Sequence, residues 1–175
     1  MANVQLEHHQ HRPAAPLPLR LLAHDLALAA NVGALFRLAD ALGVERLYLS
    51  GTTPRPPDVR LRKAARATET HVPWEAGADP LATVAALRAE GFRIVSLELT
   101  TGSVDLRCLA LGRGDRVCLV VGAEDTGVSQ ALLDASDVTV HIPMRGHNSS
   151  MNVASACAIA VHEIGRQLEG RITPG

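Results

Sequence analysis

At 175 residues, 47% hydrophobic and 20% charged, the chain can bury one domain's core, and no apolar run approaches the ~20 residues that span a bilayer. A formal net charge of −1 does not mark a nucleic-acid binder, and Trp74, Tyr48, Phe36 and Phe92 are too few aromatics for a base-stacking platform. Cys108, Cys118 and Cys157 form no CxxC or other metal-binding spacing, and the polar, His-rich N-terminus lacks a signal pattern, which points to a cytoplasmic protein with free thiols.

Residues 1–16, with His8, His9 and His11 among prolines, read as a flexible tail, with a metal site as the alternative. One domain follows over residues 17–175. Residues 19–24 (LRLLAH) form a short apolar strand. Leu35, Leu38 and Leu42 then recur at helical spacing, with Asn31 a favoured N-cap and Gly43 a favoured stop. Residues 45–50 form a second strand, and residues 52–57 a proline-bearing loop. The most basic stretch follows, with Arg55, Arg60, Arg62, Lys63 and Arg66 against Asp58; it is either an RNA surface or a solvated helix face.

Residues 79–90 form an amphipathic helix that stops at Gly91, and residues 92–99 a strand. Residues 116–121 (RVCLVV) are continuously apolar, as a strand buried on both faces requires. A short helix over 130–135, a strand over 138–142 and a long helix over 151–168 complete the chain. Cys118 and Cys157 lie in apolar runs and are expected to be buried. Alternating strands and helices predict an α/β fold, a parallel sheet with helices on both faces.

Three segments follow strand ends, where open α/β sheets bind ligands. The first runs from Asn31 to Arg37, with Arg37 among apolar residues. That charge needs either an anionic ligand or Asp40 as a surface partner. The second is Gly122-Ala123-Glu124-Asp125-Thr126-Gly127, whose glycines permit a tight turn around a binding or orienting carboxylate. It is neither GxGxxG nor a P-loop, so a nicotinamide or ATP site is not supported. The third, residues 142–153 (IPMRGHNSSMNV), carries more polar side chains than the helix cap that Ser150 or Asn152 could supply.

Together these segments resemble the SpoU/TrmH family of the SPOUT superfamily of RNA methyltransferases. The first family motif is matched by Asn31, Arg37, Ala39 and Gly43, the second by Gly122, Glu124 and Gly127. The third is matched by residues 142–153, with Met151 replacing the usual leucine at nearly equal volume. The likeness covers roughly residues 19–168. It implies a parallel sheet flanked by helices with a C-terminal deep trefoil knot, and a homodimer. It further implies S-adenosyl-L-methionine as cofactor and methyl transfer to a ribose 2′-hydroxyl of tRNA or rRNA.

Carried over residue by residue, the cofactor contacts are Leu97, Glu98, Gly122, Ala123, Glu124, Ile142, Pro143, Met144, Ser150 and Met151. Arg37 is the implied catalytic centre, oriented with the ribose by Asn31, Glu124, Ser150 and Asn152. Guanidinium rarely loses a proton, so holding the adjacent phosphate and stabilising the developing oxyanion is the physically sounder role. Two other classes stand beside this reading. A non-catalytic RNA-binding protein on the same fold would bind no cofactor. A Rossmann-type small-molecule methyltransferase would need a Gly-rich loop after the first strand, and residues 25–30 (DLALAA) contain none.

Overall fold

The computed structural model describes residues 4–5, 12–77 and 79–170, so His8, His9 and His11 lie outside the described residues. Strand β1 spans Leu17–His24 and leads into helix α1, Ala29–Leu42. The helix does not start on Asn31. Leu28, in extended conformation and without a side-chain cap, precedes it, and Asn31 lies buried in the first turn. Its amide is engaged by tertiary partners, which overrides its preference for the cap. Gly43 ends the helix as expected, at φ 71° with its N–H on the Ala39 carbonyl.

Strand β2 is Val44–Ser50. Helix α2, Val59–Ala65, is capped by the Asp58 carboxylate, which accepts from Leu61 N. A 3₁₀ turn at Thr68–Thr70 and the short strand β3, Trp74–Ala76, follow. Asp79 caps helix α3, Pro80–Ala89, with Pro80 in the first turn, where its missing N–H costs nothing. Strand β4 is Phe92–Leu97, two residues shorter than the hydrophobic pattern suggests, because Leu99 N turns back onto the Glu98 carboxylate. Strands β5 (Val104–Asp105), β6 (Arg116–Val121) and β7 (Val138–His141) alternate with a 3₁₀ turn at Leu106–Cys108 and helix α4, Gln130–Asp134. Helix α5, Val153–Glu169, starts on the Asn152 cap.

The strands form one parallel seven-stranded sheet in the order β3-β2-β1-β6-β4-β7-β5. Alternation along each strand separates two cores. Leu19, Leu21, Leu119 and Val140 pack under α1, α2 and α5. Leu22, Ile94, Cys118 and Val120 pack under α3 and α4. Central β6 is buried from Val117 to Val121, and burial pushes the Cys118 thiol up to about 12, as it does Cys157 in α5. Gly33 lets α1 and α2 touch backbone to backbone: a Cβ there would overlap the Leu61 carbonyl and the Ala64 side chain. Among the described residues no helix is long and apolar enough to cross a membrane.

Candidate active site

The carboxyl ends of β1, β6, β4 and β7 deliver four loops to one rim of the sheet. After β6, Ala123 N donates to the Gly127 carbonyl at 3.1 Å and Gly127 N to the Ala123 carbonyl at 3.0 Å. This closure needs Gly122, where a Cβ would overlap the Gly127 carbonyl, and Gly127 itself at φ 70°. Glu98, just beyond β4, secures the same turn by accepting from Val128 N at 3.0 Å.

Inside that turn, Glu124 reaches the β1–α1 loop. Its Oε2 accepts from Ala27 N at 2.8 Å, and its Oε1 from Leu28 N at 3.3 Å and from Asn31 Nδ2 at 2.7 Å. Burial pushes the carboxyl up, but the donors at Ala27, Asn31 and Leu28 outweigh it and hold the group below the ordinary carboxylate range. Asn31 Oδ1 in turn accepts from Asn152 Nδ2 at 3.0 Å. Asn152 Oδ1 caps α5 by accepting from Ala154 N and Ser155 N. The three motifs are therefore joined by one chain of hydrogen bonds, Glu124–Asn31–Asn152.

This chain floors a cavity of about 610 Å³. Leu97, Val121, Ile142, Met144 and Met151 give it apolar walls, while Glu98, Glu124, Ser150 and Asn152 supply polar groups. The volume and the mixture suit a nucleoside-sized ligand with an aromatic base. The expected contacts Leu97, Glu98, Gly122, Ala123, Glu124, Ile142, Met144, Ser150 and Met151 all line it, as do Asn31 and Asn152. Pro143 does not: it is exposed and forms no part of the lining. Ser150 holds Asn148 rather than the helix end, so the α5 cap belongs to Asn152. Leu28 and His141 line the cavity without having been anticipated. A histidine one residue before Ile142 was the available signal for the second.

Arg37 is placed otherwise. It is exposed on the solvent ridge of α1 with Ala30, Asp40 and Ala41, rather than on an apolar face, and it does not line the cavity. Among the described residues it makes no ion pair and no side-chain hydrogen bond, so the Asp40 pairing does not form. None of Asn31, Glu124, Ser150 and Asn152 hydrogen-bonds to it within the chain. Arg55, Arg60, Arg62, Lys63 and Arg66 are all exposed, on and around α2. Of these, Arg62 approaches Glu69 at 4.0 Å.

The profile of the SpoU rRNA Methylase family matches residues 18–162. An uncharacterized tRNA/rRNA methyltransferase of Mycobacterium tuberculosis is 35% identical over 76% of this chain and 46% of its own length. The tRNA (guanosine(18)-2′-O)-methyltransferase of Escherichia coli is 32% identical over 78% of this chain and 58% of its own. The solved SpoU methyltransferase AviRb of Streptomyces viridochromogenes, in complex with AdoMet, superposes with a TM-score of 0.77 at 28% identity, covering 89% of this chain and 62% of that one. The chain spans about half the length of the curated relatives it matches. By the matched profile, and by the three motifs joined through Glu124, Asn31 and Asn152, the chain belongs to the SpoU rRNA methylase family.

Proposed function

We propose that the protein is an S-adenosylmethionine-dependent RNA methyltransferase acting on a ribose 2′-hydroxyl, with tRNA as substrate and rRNA as the alternative. The observation that carries this reading is the cavity floored by the Glu124–Asn31–Asn152 chain at the carboxyl ends of four parallel strands. The residues fit the cofactor. Leu97, Ile142 and Met151 offer flat apolar contact for adenine, and the Gly122–Gly127 turn lets backbone approach the ligand where a Cβ would intrude. When bound, S-adenosylmethionine supplies an electrophilic methyl group on its sulfonium.

This chain's residues would do the rest. The fixed loops at Leu28 and Ser150 would position the ribose beside the cavity, and positioning alone can lower the barrier by several kcal/mol. Arg37 would hold the neighbouring phosphate and stabilise the developing alkoxide; a guanidinium rarely gives up its proton and makes a poor base. Its exposure on α1, away from its own cavity, supports a homodimer in which it faces the partner's cavity. The alanines beside it and exposed Ile159 on α5 suit such a contact. The C-terminal trefoil knot is proposed on the same footing. It is supported by a strand order that inserts β6 between β1 and β4 and by the return of α5 beside α1. The basic residues around α2 would grip RNA outside the cavity, and the site of action would be the cytoplasm.

Incubating the protein with methyl-labelled S-adenosylmethionine and either bulk tRNA or rRNA tests the reading. Label recovered as a 2′-O-methylnucleoside supports it. Label found on a base, or on no RNA, overturns it.

A further inference from the structure

His141 ends β7 and lines the cavity, yet none of the roles above uses it. Its ring is held from outside. Nδ1 lies 2.9 Å from Ser103 Oγ, and that hydroxyl donates to the Thr100 carbonyl at 2.8 Å while accepting from Thr100 N at 3.0 Å. A hydroxyl has one proton, and here the carbonyl takes it. The oxygen then offers His141 a lone pair, which favours the tautomer with the proton on Nδ1. In the neutral imidazole this leaves Nε2 as an acceptor, and among the described residues it has no hydrogen-bond partner.

The surroundings hold the ring in place without using that lone pair. Strand register sets Glu98 of the β4 end on one side of His141 and Asp105 of β5 on the other. Glu98 is committed to Leu99 N and Val128 N, and Asp105 to Arg107. Neither needs a proton from Nε2. An unpartnered acceptor on a residue that lines the cavity can serve as a recognition element for a ligand's hydrogen-bond donor.

We propose that His141 Nε2 accepts a hydrogen bond from the adenosine part of the cofactor, either the exocyclic amino group or a ribose hydroxyl, and so acts as a specificity residue. The inference rests on the reading that the cavity holds S-adenosylmethionine. An acceptor that answers a donor discriminates strongly against ligands lacking it, because one of the two groups is then left unpaired.

Calorimetry of the whole protein with S-adenosylhomocysteine tests this without any turnover. His141→Asn is the informative variant, since its amide can still donate to Ser103 while nothing replaces the acceptor at Nε2. We expect binding about five- to tenfold weaker, the worth of one net hydrogen bond, with an unchanged thermal midpoint. His141→Gln, whose amide oxygen reaches further into the cavity, should recover part of the loss. The 6-oxo analogue S-inosylhomocysteine and the 2′- and 3′-deoxy analogues identify the donor. The analogue missing the group that His141 reads should bind wild type and His141→Asn equally. Wild-type affinity in His141→Asn, or the same loss for every analogue, overturns the proposal. No binding by the wild type would instead overturn the cofactor assignment beneath it.

Discussion

Asn152 Nδ2 donates to Asn31 Oδ1 at 3.0 Å across 121 residues of chain, and this one contact fastens the start of the last helix to the first turn of the first. Neither amide has a free role left: Asn31 also donates to Glu124, and Asn152 also caps α5. Replacing Asn152 by Ala removes the cap and leaves the acceptor of buried Asn31 unmet. We expect a loss of about 2–3 kcal/mol in urea unfolding. Asn152→Asp separates the two effects, because a carboxylate still caps the helix but cannot donate to Asn31. It should cost less stability than Ala, yet still loosen the loop that carries Ser150. Equal losses in both variants would show that the contact with Asn31 alone matters and the cap adds nothing.

Two glycines allow close backbone approach in different places, and their replacement should have separable consequences. At Gly122 an added methyl meets the Gly127 carbonyl inside the cavity turn; at Gly33 it meets Leu61 and Ala64 between α1 and α2. Gly33→Ala should destabilise the fold by about 1–3 kcal/mol, as overpacking does, with little change in S-adenosylhomocysteine affinity. Gly122→Ala should abolish that affinity while the chain remains folded. Calorimetry beside thermal unfolding distinguishes the two. Tight cofactor binding by Gly122→Ala would contradict the role given to the turn.

Glu124 makes stability depend on pH in a definite direction. In the fold its carboxyl sits below its ordinary 4.5, since the donors at Ala27, Asn31 and Leu28 overcome the effect of burial. A group depressed in this way stabilises the fold fully above the unfolded value, and the contribution fades as pH falls from about 4.5 through the lower folded one. Urea midpoints between pH 6 and pH 3 should therefore decline. Glu124→Gln should start lower at pH 6 and decline less steeply. It will not be flat, because Asp25, Asp105 and Glu163 are also held low, by Thr52, Arg107 and Arg166. A Glu124→Gln profile parallel to wild type would mean that the hydrogen bonds to Glu124 do not stabilise the carboxylate.

What the sequence disclosed follows from how local each cause is. Residues 116–121 are recognisable as a central strand because five successive buried positions leave no polar gap. Gly43 marks the end of α1 because only its own backbone is involved. By contrast β3 and β5 have three and two residues, too few to show a period, and they exist because β2 and β7 offer edges to pair with. Asn31 was misplaced as a cap for the same reason, since its partners lie 93 and 121 residues away. Most cavity-facing residues were legible through their motifs, but Leu28, His141 and the outward position of Arg37 were not. Spacing alone did not reveal that the face of α1 bearing Arg37 turns to solvent.

That outward position leads to the sharpest test of the catalytic assignment. Arg37→Ala should lose methyl transfer while keeping S-adenosylhomocysteine affinity, and Arg37→Lys should also lose activity, because a point charge does not reproduce the guanidinium fork. If Arg37 serves the partner's cavity, a mixture of Arg37→Ala with Gly122→Ala chains should recover activity that neither has alone. In the mixed dimer the intact cavity of the first chain meets the intact Arg37 of the second. Random pairing makes half the dimers mixed, each with one working site of two, so about a quarter of wild-type activity is expected. An arginine acting within its own chain predicts none, since every intact cavity would then lack its Arg37. A fully active Arg37→Ala enzyme would remove the residue from the mechanism altogether.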